Sequence, residues 1–202
     1  MNDPAVLTVH IVDDDPAVRD SLSLLLSLRG HRTATFNSAE SLLAAVGRAS
    51  TGCVIADLRM PGMDGLALQR ELMARGIGMP VVIITGHGDV ASAREAFRNA
   101  AVDFLEKPFD EDGPSHAVEA AFSRERARLA ETLTRRAREE RLASLTPRER
   151  DVLNEVVTGL HNKEVARKLA ISPRTVEVHK ARIMAKLGAR NLADLIRVAE
   201  LD

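Results

Sequence analysis

The amino-terminal part of the chain alternates between two hydrophobic periods, and this alternation most limits the folds it can adopt. Apolar runs of strand length occur at residues 6–12, 33–36, 53–56, 80–84 and 103–105. Amphipathic stretches of helix length lie between them, at residues 17–29, 38–48, 66–75 and 89–100, with a last one ending near Phe122. Parallel strands need long crossovers, and these are normally right-handed and helical. The pattern therefore predicts an α/β domain with a doubly wound, five-stranded parallel sheet.

A helical connector is predicted next, at residues 124–145, because this stretch has no Gly or Pro and is rich in Ala, Leu, Arg and Glu. Phe122, Leu129 and Leu133 form a weak apolar seam, but Arg136 and Glu140 occupy the next positions in register. A coiled coil and a plain charged linker helix therefore both remain open.

The last 57 residues are predicted to be wholly helical. Residues 146–149 form a capping box with proline at the first helical position, and Gly159 ends that helix. A short helix after Asn162, a turn at residues 170–172 and a longer helix to Leu187 have the order of a helix-turn-helix, and a further helix follows Asn191. The predicted boundaries are residues 1–123 for the first domain, 124–143 for the linker and 144–202 for the helical domain.

Charge divides the chain in the same way. Residues 1–123 carry 10 Lys and Arg against 17 Asp and Glu, whereas residues 124–145 carry 7 against 4 and residues 146–202 carry 11 against 8. An acidic front and a basic back indicate separate partners, nucleic acid being the usual partner of a basic module.

Several classes of protein are disfavoured. No apolar run approaches the ~18 residues of a membrane span, and the amino terminus lacks the order of a signal peptide, so we expect a cytoplasmic protein without membrane contact. Cys53 is the one cysteine and lies in an apolar run, which predicts a buried thiol. The six histidines show no spacing typical of a transition-metal site.

Polar residues follow the predicted strands at their carboxyl ends, where functional groups of such sheets gather. Asp13 and Asp14 follow the first strand, Asp57 the third, Thr85 the fourth and Lys107 the fifth. Oxygen ligands without nitrogen or sulfur select Mg²⁺, and a carboxylate, a hydroxyl and an ammonium group together can orient a transferring phosphoryl group. Asp57 is the predicted phosphoryl acceptor. A merely solvated strand end is the simpler alternative for the acidic pair alone.

Four segments resemble the receiver domain of two-component response regulators, a flavodoxin-like fold: IVDDD at 11–15, DLRMPGMDG at 57–65, ITGHGD at 84–89 and DFLEKPF at 103–109. The resemblance implies that a cognate sensor histidine kinase phosphorylates Asp57. It implies that Asp13, Asp14, Asp57 and the backbone carbonyl of Arg59 hold Mg²⁺. Lys107 would contact the phosphoryl group, and Thr85 and Phe104 match the family's switch pair.

Two positions depart from the receiver pattern. Ala100 stands where glycine is usual, which predicts strain if that position needs a positive φ. Residues 112–116 interrupt an otherwise apolar start of the last helix, and Pro114 is expected to keep Gly113 out of helical conformation, so that this helix starts late. The helix borders the face through which phosphorylated relatives form homodimers, so its start bears on the expected dimer.

The segment NKEVARKLAISPRTVEVHKARIMAKL at 162–187 resembles the LuxR-type DNA-binding domain. The pair of domains is most similar to the NarL/FixJ family, within it the FixJ/TtrR/StyR group. Helical spacing turns Val176, Ile183 and Leu187 to the core and leaves an opposite face for the major groove of double-stranded DNA, with Lys180 on the flank. That face carries Arg174, Glu177, Val178, Ala181 and Arg182. The resemblance implies base contacts from Glu177, Val178 and Ala181, and phosphate contacts from Lys163, Thr175 and Lys180.

The sequence therefore predicts a transcription regulator that depends on phosphorylation, and not an enzyme. A phosphohydrolase of the haloacid dehalogenase type would need a carboxylate two residues after the nucleophile, where this chain has Arg59. A receiver that binds a partner without phosphorylation is disfavoured by the complete set of acidic residues, Thr85 and Lys107. A small helical protein-binding domain is the alternative for the basic end.

Overall fold

The computed structural model describes residues 7–86, 103–108, 110 and 112–200. The chain divides into two compact units, Met1–Leu129 and Ala130–Asp202. The predicted helix at residues 89–100 and the departure at Ala100 lie outside the described residues. Within the described ranges, no helix is both long enough and apolar enough to cross a membrane.

The first unit contains the predicted five-stranded parallel sheet. Its strands are β1 (Thr8–Val12), β2 (Arg32–Phe36), β3 (Gly52–Asp57), β4 (Val81–Thr85) and β5 (Asp103–Glu106), in the spatial order β2-β1-β3-β4-β5. Its described helices are α1 (Pro16–Leu28), α2 (Ala39–Ala45), α3 (Gly65–Ala74) and the first part of α4 (Gly113–Ala143). Each strand begins and ends within about two residues of the predicted bounds.

Helices cover both faces of the sheet, as the continuous apolar runs of β3 and β4 predict. On one face Ile11, Ile55 and Ile84 pack against α1 and α4, and on the other face Val54 and Ile83 pack against α2 and α3. Cys53 is buried on the first face, as predicted, and burial raises the pKa of its thiol. The two-residue period of the strands thus places alternate side chains in two separate cores.

Helix α4 corrects two predictions. It runs unbroken through 31 residues, where we predicted one helix ending near Phe122 and a separate linker helix after it. It also begins at Gly113 rather than late, so the expectation for Pro114 is wrong. Proline in a first turn lacks only an N–H that has no partner there, and the Gly113 N–H donates to the Asp110 carboxylate at 2.6 Å. Pro114 and Ser115 are buried in this turn.

The buried carboxylate of Glu125 joins α4 to the start of β3. The Glu125 side chain is 0% exposed and accepts hydrogen bonds from Arg128 Nε at 2.7 Å and Nη2 at 2.8 Å. It also accepts one from the Gly52 N–H at 3.4 Å. Gly52 has a φ of 128°, and a Cβ there would lie 1.9 Å from the Thr8 carbonyl oxygen, so only glycine allows this approach.

We expect Glu125→Ala to lower the free energy of unfolding of the first unit by about 2 to 3 kcal/mol, because it removes the buried carboxylate to which Arg128 and the Gly52 N–H donate. The value lies below that of a fully buried pair because Arg128 is 33% exposed and water partly replaces the lost contact. Urea denaturation of the full chain measures it. Glu119→Ala, on the exposed face of α4, should cost less than about 0.5 kcal/mol. An equal loss from both variants would contradict this role of Glu125.

The second unit is helical, as predicted. After the end of α4 it contains α5 (Pro147–Val157), α6 (Asn162–Lys168), α7 (Pro173–Leu187) and α8 (Leu192–Glu200). Its core includes Val152, Val165 and Leu195, together with the three core residues predicted on α7. The turn between α6 and α7 includes Ala170, which has a φ of 53°. This left-handed conformation is rare for any residue but glycine, asparagine and aspartate.

The predicted capping box of α5 does more than begin a helix. Thr146 Oγ1 accepts from the Glu149 N–H at 3.3 Å, and the Glu149 carboxylate accepts from the Thr146 N–H at 2.9 Å. Lys186 of α7 reaches the same carboxylate, with Nζ 2.6 Å from Oε2. The hydrogen bonds from Lys186 and Thr146 lower the pKa of Glu149 from 4.5 to about 2. Glu149 therefore links the start of α5 to the end of α7.

This lowered pKa predicts how the second unit responds to acid. A carboxyl whose pKa falls on folding contributes stability above pH 4.5, and this contribution is lost as the pH falls through about 2. Glu149→Gln keeps a neutral cap but loses the charge, so it should be less stable than the parent at pH 7. The difference should shrink as the pH falls from 4.5 toward 2, as followed by urea denaturation with far-ultraviolet circular dichroism. Glu139→Gln, on an exposed part of α4, is the control. A pH-independent difference for Glu149→Gln would refute the pairing.

Candidate functional site

Three carboxylates meet at the carboxyl-end edge of the sheet. Asp13 follows β1 and is buried, Asp57 ends β3 and is partly buried, and Asp14 is exposed. One carboxylate oxygen from each lies within 4.8 Å of the other two. Because β1 and β3 are adjacent and parallel, their ends bring residues distant in sequence together, as the predicted topology requires.

Lys107 lies between two of these carboxylates. Its ammonium nitrogen is 2.8 Å from Asp13 Oδ2 and 3.1 Å from Asp57 Oδ2. The lysine directly follows β5, and its backbone N–H donates to the Thr85 carbonyl oxygen at 2.6 Å. Burial lowers the pKa of Lys107, but the hydrogen bonds to Asp13 and Asp57 outweigh this effect and raise it above the ordinary value. Lys107 therefore stays a cation.

Asp57 has a pKa above the ordinary value for aspartate. Burial raises the pKa of Asp57 most, the hydrogen bond and charge of Lys107 lower it, and the charge of Asp13 raises it again. The Arg59 N–H also donates to Asp57 Oδ1 at 3.4 Å. Both carboxylate oxygens of Asp57 therefore accept a hydrogen bond, Oδ2 from Lys107 and Oδ1 from the Arg59 N–H.

The donor set fits a hard divalent cation. Asp13, Asp14 and Asp57 offer only oxygen atoms, which Mg²⁺ prefers, and their mutual repulsion is relieved by added positive charge. A depression of about 250 Å³ lies beside them, lined by Asp57, Arg59, Thr85, Gly86 and Lys107. It provides space for a phosphoryl group next to the Asp57 carboxylate.

Thr85 and Phe104 face the same side of the sheet. Phe104 pairs with Ile83 in the parallel register, and Thr85 lies two residues beyond Ile83 on β4, so the two-residue period turns all three to one face. Thr85 is buried, and Phe104 is partly buried against the core on this face. The predicted switch pair therefore lies on adjacent strands, two positions apart in the register.

Two side chains that we did not predict support the loops of this site. Arg19 of α1 donates to the Asp13 carbonyl oxygen at 2.7 Å. Glu40 of α2 accepts a hydrogen bond from the Met63 N–H at 3.2 Å, beside Gly62, whose φ is 80°. A charged residue on a helix gives no sequence signal that its side chain secures a particular loop.

Two further acidic residues near the edge cap helices. Asp15 accepts from the Ala17 N–H at 2.8 Å at the start of α1, and Asp64 accepts from the Ala67 N–H at 2.7 Å at the start of α3. Such caps satisfy N–H groups that have no partner within the helix. Asp15 and Asp64 therefore stabilise the starts of α1 and α3.

In the second unit, helix α7 has the two faces that its spacing predicts. Val176, Ile183 and Leu187 are buried. The opposite face is exposed and carries Arg174, Glu177, Val178, Ala181 and Arg182. All of these except Arg182 line a shallow depression of about 530 Å³.

The three predicted phosphate-contacting residues lie around this face. Lys163 is exposed on α6, and Thr175 is partly buried in the first turn of α7, where its hydroxyl lies 2.8 Å from the Ser172 hydroxyl. Lys180 Nζ donates to Asn162 Oδ1 at 3.1 Å. The Asn162 Nδ2 group donates a hydrogen bond to Glu177 Oε1 at 3.5 Å. Asn162 was not among the predicted residues.

Comparison with known families agrees with this architecture. Residues 9–119 match the response regulator receiver domain, and residues 143–199 match the bacterial regulatory proteins of the luxR family. The chain belongs to the response regulators in which a receiver domain precedes a luxR-type DNA-binding domain, a class of transcription regulators. The predicted fold class and family are therefore confirmed.

Relatives match along nearly the whole chain. The chain is 46% identical over 198 residues to the transcriptional regulatory protein FixJ of Azorhizobium caulinodans, spanning 98% of this chain and 94% of that protein. It is 45% identical over 193 residues to the C4-dicarboxylate transport transcriptional regulatory protein DctR of Rhodobacter capsulatus, spanning 95% and 98%. The solved structure of the response regulator StyR is 40% identical, with a TM-score of 0.85 over 97% of this chain and 99% of that chain.

Proposed function

We propose that a cognate sensor histidine kinase phosphorylates Asp57, and that the phosphorylated chain binds operator DNA as a homodimer. The observation that carries the first step is the Lys107 ammonium group, 2.8 Å from Asp13 and 3.1 Å from Asp57 at the open edge of the sheet. It puts a fixed cation beside a partly buried carboxylate with space for a phosphoryl group. These are the parts that phosphoryl transfer needs.

The transfer conserves the phosphoryl group. An Asp57 carboxylate oxygen attacks phosphorus of a phosphohistidine, the P–N bond breaks, and the released imidazole nitrogen takes up a proton. Asp13, Asp14, Asp57 and the Arg59 carbonyl would hold Mg²⁺, which when bound supplies positive charge to the phosphoryl oxygens. Lys107 supplies a second positive charge to the same group. The Thr85 hydroxyl afterwards donates a hydrogen bond to a phosphoryl oxygen, and Phe104 moves into the space that Thr85 leaves.

The output is DNA binding by the second unit. Helix α7 enters the major groove with Arg174, Glu177, Val178, Ala181 and Arg182 toward the bases, and Lys163, Thr175 and Lys180 contact phosphates. The domain boundaries 1–123, 124–143 and 144–202 remain part of this proposal, as do a cytoplasmic location and the lack of an enzymatic activity of the chain's own. Asp57 is a phosphate carrier here, since the reaction leaves the group on the protein.

The acceptor assignment is tested with acetyl phosphate and Mg²⁺, because a small donor needs only the nucleophile and the cations around it. Intact mass spectrometry should show one added phosphoryl group on the parent chain and none on Asp57→Asn. Asp64→Asn is the matched control, since Asp64 caps α3. Labelling of Asp57→Asn to the parent's extent would mean that another residue is the acceptor.

The orientation of α7 on DNA is tested by separating phosphate contacts from base contacts. Lys180→Ala should weaken binding to all DNA and reduce the salt dependence by about one unit of slope, because one phosphate contact releases about one counterion. Val178→Ala should instead reduce discrimination between operator and random DNA. Fluorescence anisotropy over a range of salt concentrations measures both quantities.

Lys168→Ala removes the same charge from α6, where Lys168 pairs with Glu155, and should leave the salt slope nearly unchanged. A uniform loss of affinity from both the Lys180 and the Val178 variants would contradict the proposed orientation.

A further inference from the structure

The side-chain amide of Asn162 connects two side chains of helix α7. Asn162 is the first residue of α6, and its Oδ1 atom accepts a hydrogen bond from Lys180 Nζ at 3.1 Å. Its Nδ2 group donates to Glu177 Oε1 at 3.5 Å. Glu177 and Lys180 are three residues apart on α7, so their side chains are neighbours on the surface of that helix. One amide thus ties an acidic and a basic residue of α7 to the preceding helix.

Chemistry fixes the direction of this arrangement. A lysine ammonium group can only donate, so the amide oxygen of Asn162 must face Lys180. An ionised carboxylate can only accept, so the amide nitrogen must face Glu177. Turning the amide over would set like groups against each other at both ends. The orientation of Asn162 therefore follows from its two neighbours.

The amide also limits where Glu177 can point. Glu177 is exposed and lines the depression on α7 together with Arg174, Val178 and Ala181. Arg174 lies three residues before it on the same face, within reach of a carboxylate that rotates freely. A hydrogen bond from Asn162 to Oε1 directs the carboxylate toward α6 and leaves Oε2 to accept another hydrogen bond. Holding a long side chain in advance lowers the entropy lost when it binds.

A carboxylate on this face selects among the bases. In the major groove, hydrogen-bond donors are the N4 amino group of cytosine and the N6 amino group of adenine. Adenine carries the N7 acceptor beside its amino group, which repels a carboxylate, whereas cytosine has no acceptor at its major-groove edge. Guanine and thymine present acceptors. A directed Glu177 therefore favours cytosine.

From this geometry we propose that Asn162 is a positioning residue for sequence recognition, which directs Glu177 to the N4 amino group of one cytosine in each operator half-site. The inference rests on the proposed DNA binding through α7. Asn162 acts through Glu177 and also keeps Lys180 at the flank of the helix, where its charge offsets the carboxylate near the phosphates. Asn162 performs this role through its hydrogen bonds to Glu177 and Lys180 and needs no base contact of its own.

The experiment begins with the full chain treated with acetyl phosphate and Mg²⁺. It selects binding sites from a randomised pool of double-stranded DNA, and duplexes with each single base change in the selected site are then measured by anisotropy. The variants are Asn162→Ala, Asn162→Asp, Glu177→Ala and the double variant Asn162→Ala/Glu177→Ala. Asn162→Asp keeps the acceptor for Lys180 but cannot donate to Glu177, and aspartate suits the first turn of a helix. Asn154→Ala, at an exposed asparagine of α5, is the control.

We expect Glu177→Ala to reduce the preference for cytosine at one base pair of each half-site about tenfold. Asn162→Ala and Asn162→Asp should reduce the preference at the same base pair about three- to tenfold, with melting temperatures close to the parent's. The double variant should lose no more than Glu177→Ala alone, because Asn162 acts through Glu177. A merely structural role of Asn162 would weaken all base pairs alike.

Three results would overturn the inference. They are an unchanged preference at every base pair in Glu177→Ala, a uniform loss from the Asn162 variants, and a further loss of preference in the double variant. If the parent chain enriches no sequence from the pool, the proposed DNA binding itself fails, and this result is distinct from the other three.

Discussion

Parallel strands that end side by side collect their terminal polar groups at one edge, and in this receiver three carboxylates share that edge. Two unit charges about 4 Å apart interact with roughly 4 kcal/mol at the effective dielectric of a protein surface. Carboxylates of Asp13, Asp14 and Asp57 within 4.8 Å therefore need compensation. Lys107 provides one positive charge from the end of β5. The four groups together carry a net charge of −2 when ionised, which matches a divalent cation.

Strand register, the two cores and two helix side chains position the residues at this edge. The fixed register of β1 with β3 and of β4 with β5 sets the spacing between Asp13, Asp57 and Lys107. Two buried cores hold that register from both faces, since a slip of one residue would turn every side chain to the other face. Arg19 and Glu40 then secure the loops that leave the edge.

Much of this could be predicted from sequence because it depends on period and order along the chain. The five apolar runs predicted β1 to β5, and because parallel strands end on one edge, they also predicted that Asp57 and Lys107 lie close together. The helical spacing of Val176, Ile183 and Leu187 likewise predicted the buried face of α7. The specific roles of Arg59, Thr85 and Phe104 came from resemblance and remain predictions.

The contacts that were missed join polar residues far apart in sequence. Glu125 meets Gly52 across 73 positions, and Asn162 meets Lys180 across 18. A charged residue on a helix is expected to be solvated unless its partner is known. The prediction for the start of α4 was wrong for another reason. It gave more weight to the non-helical conformation preferred by a residue before proline than to the tolerance of a helix's first turn for proline.

The left-handed conformation of Ala170 limits the angle between α6 and α7, the two helices of the helix-turn-helix. An alanine methyl group confines this conformation to a small region near its φ of 53°, whereas glycine would tolerate a wide range of backbone angles there. The confinement costs about 1 kcal/mol of folding free energy. In return the turn has fewer alternative geometries at this residue, which narrows the range of angles that α6 and α7 can adopt. Side chains that bridge these helices, such as Asn162, can then meet their partners without any further adjustment of the turn.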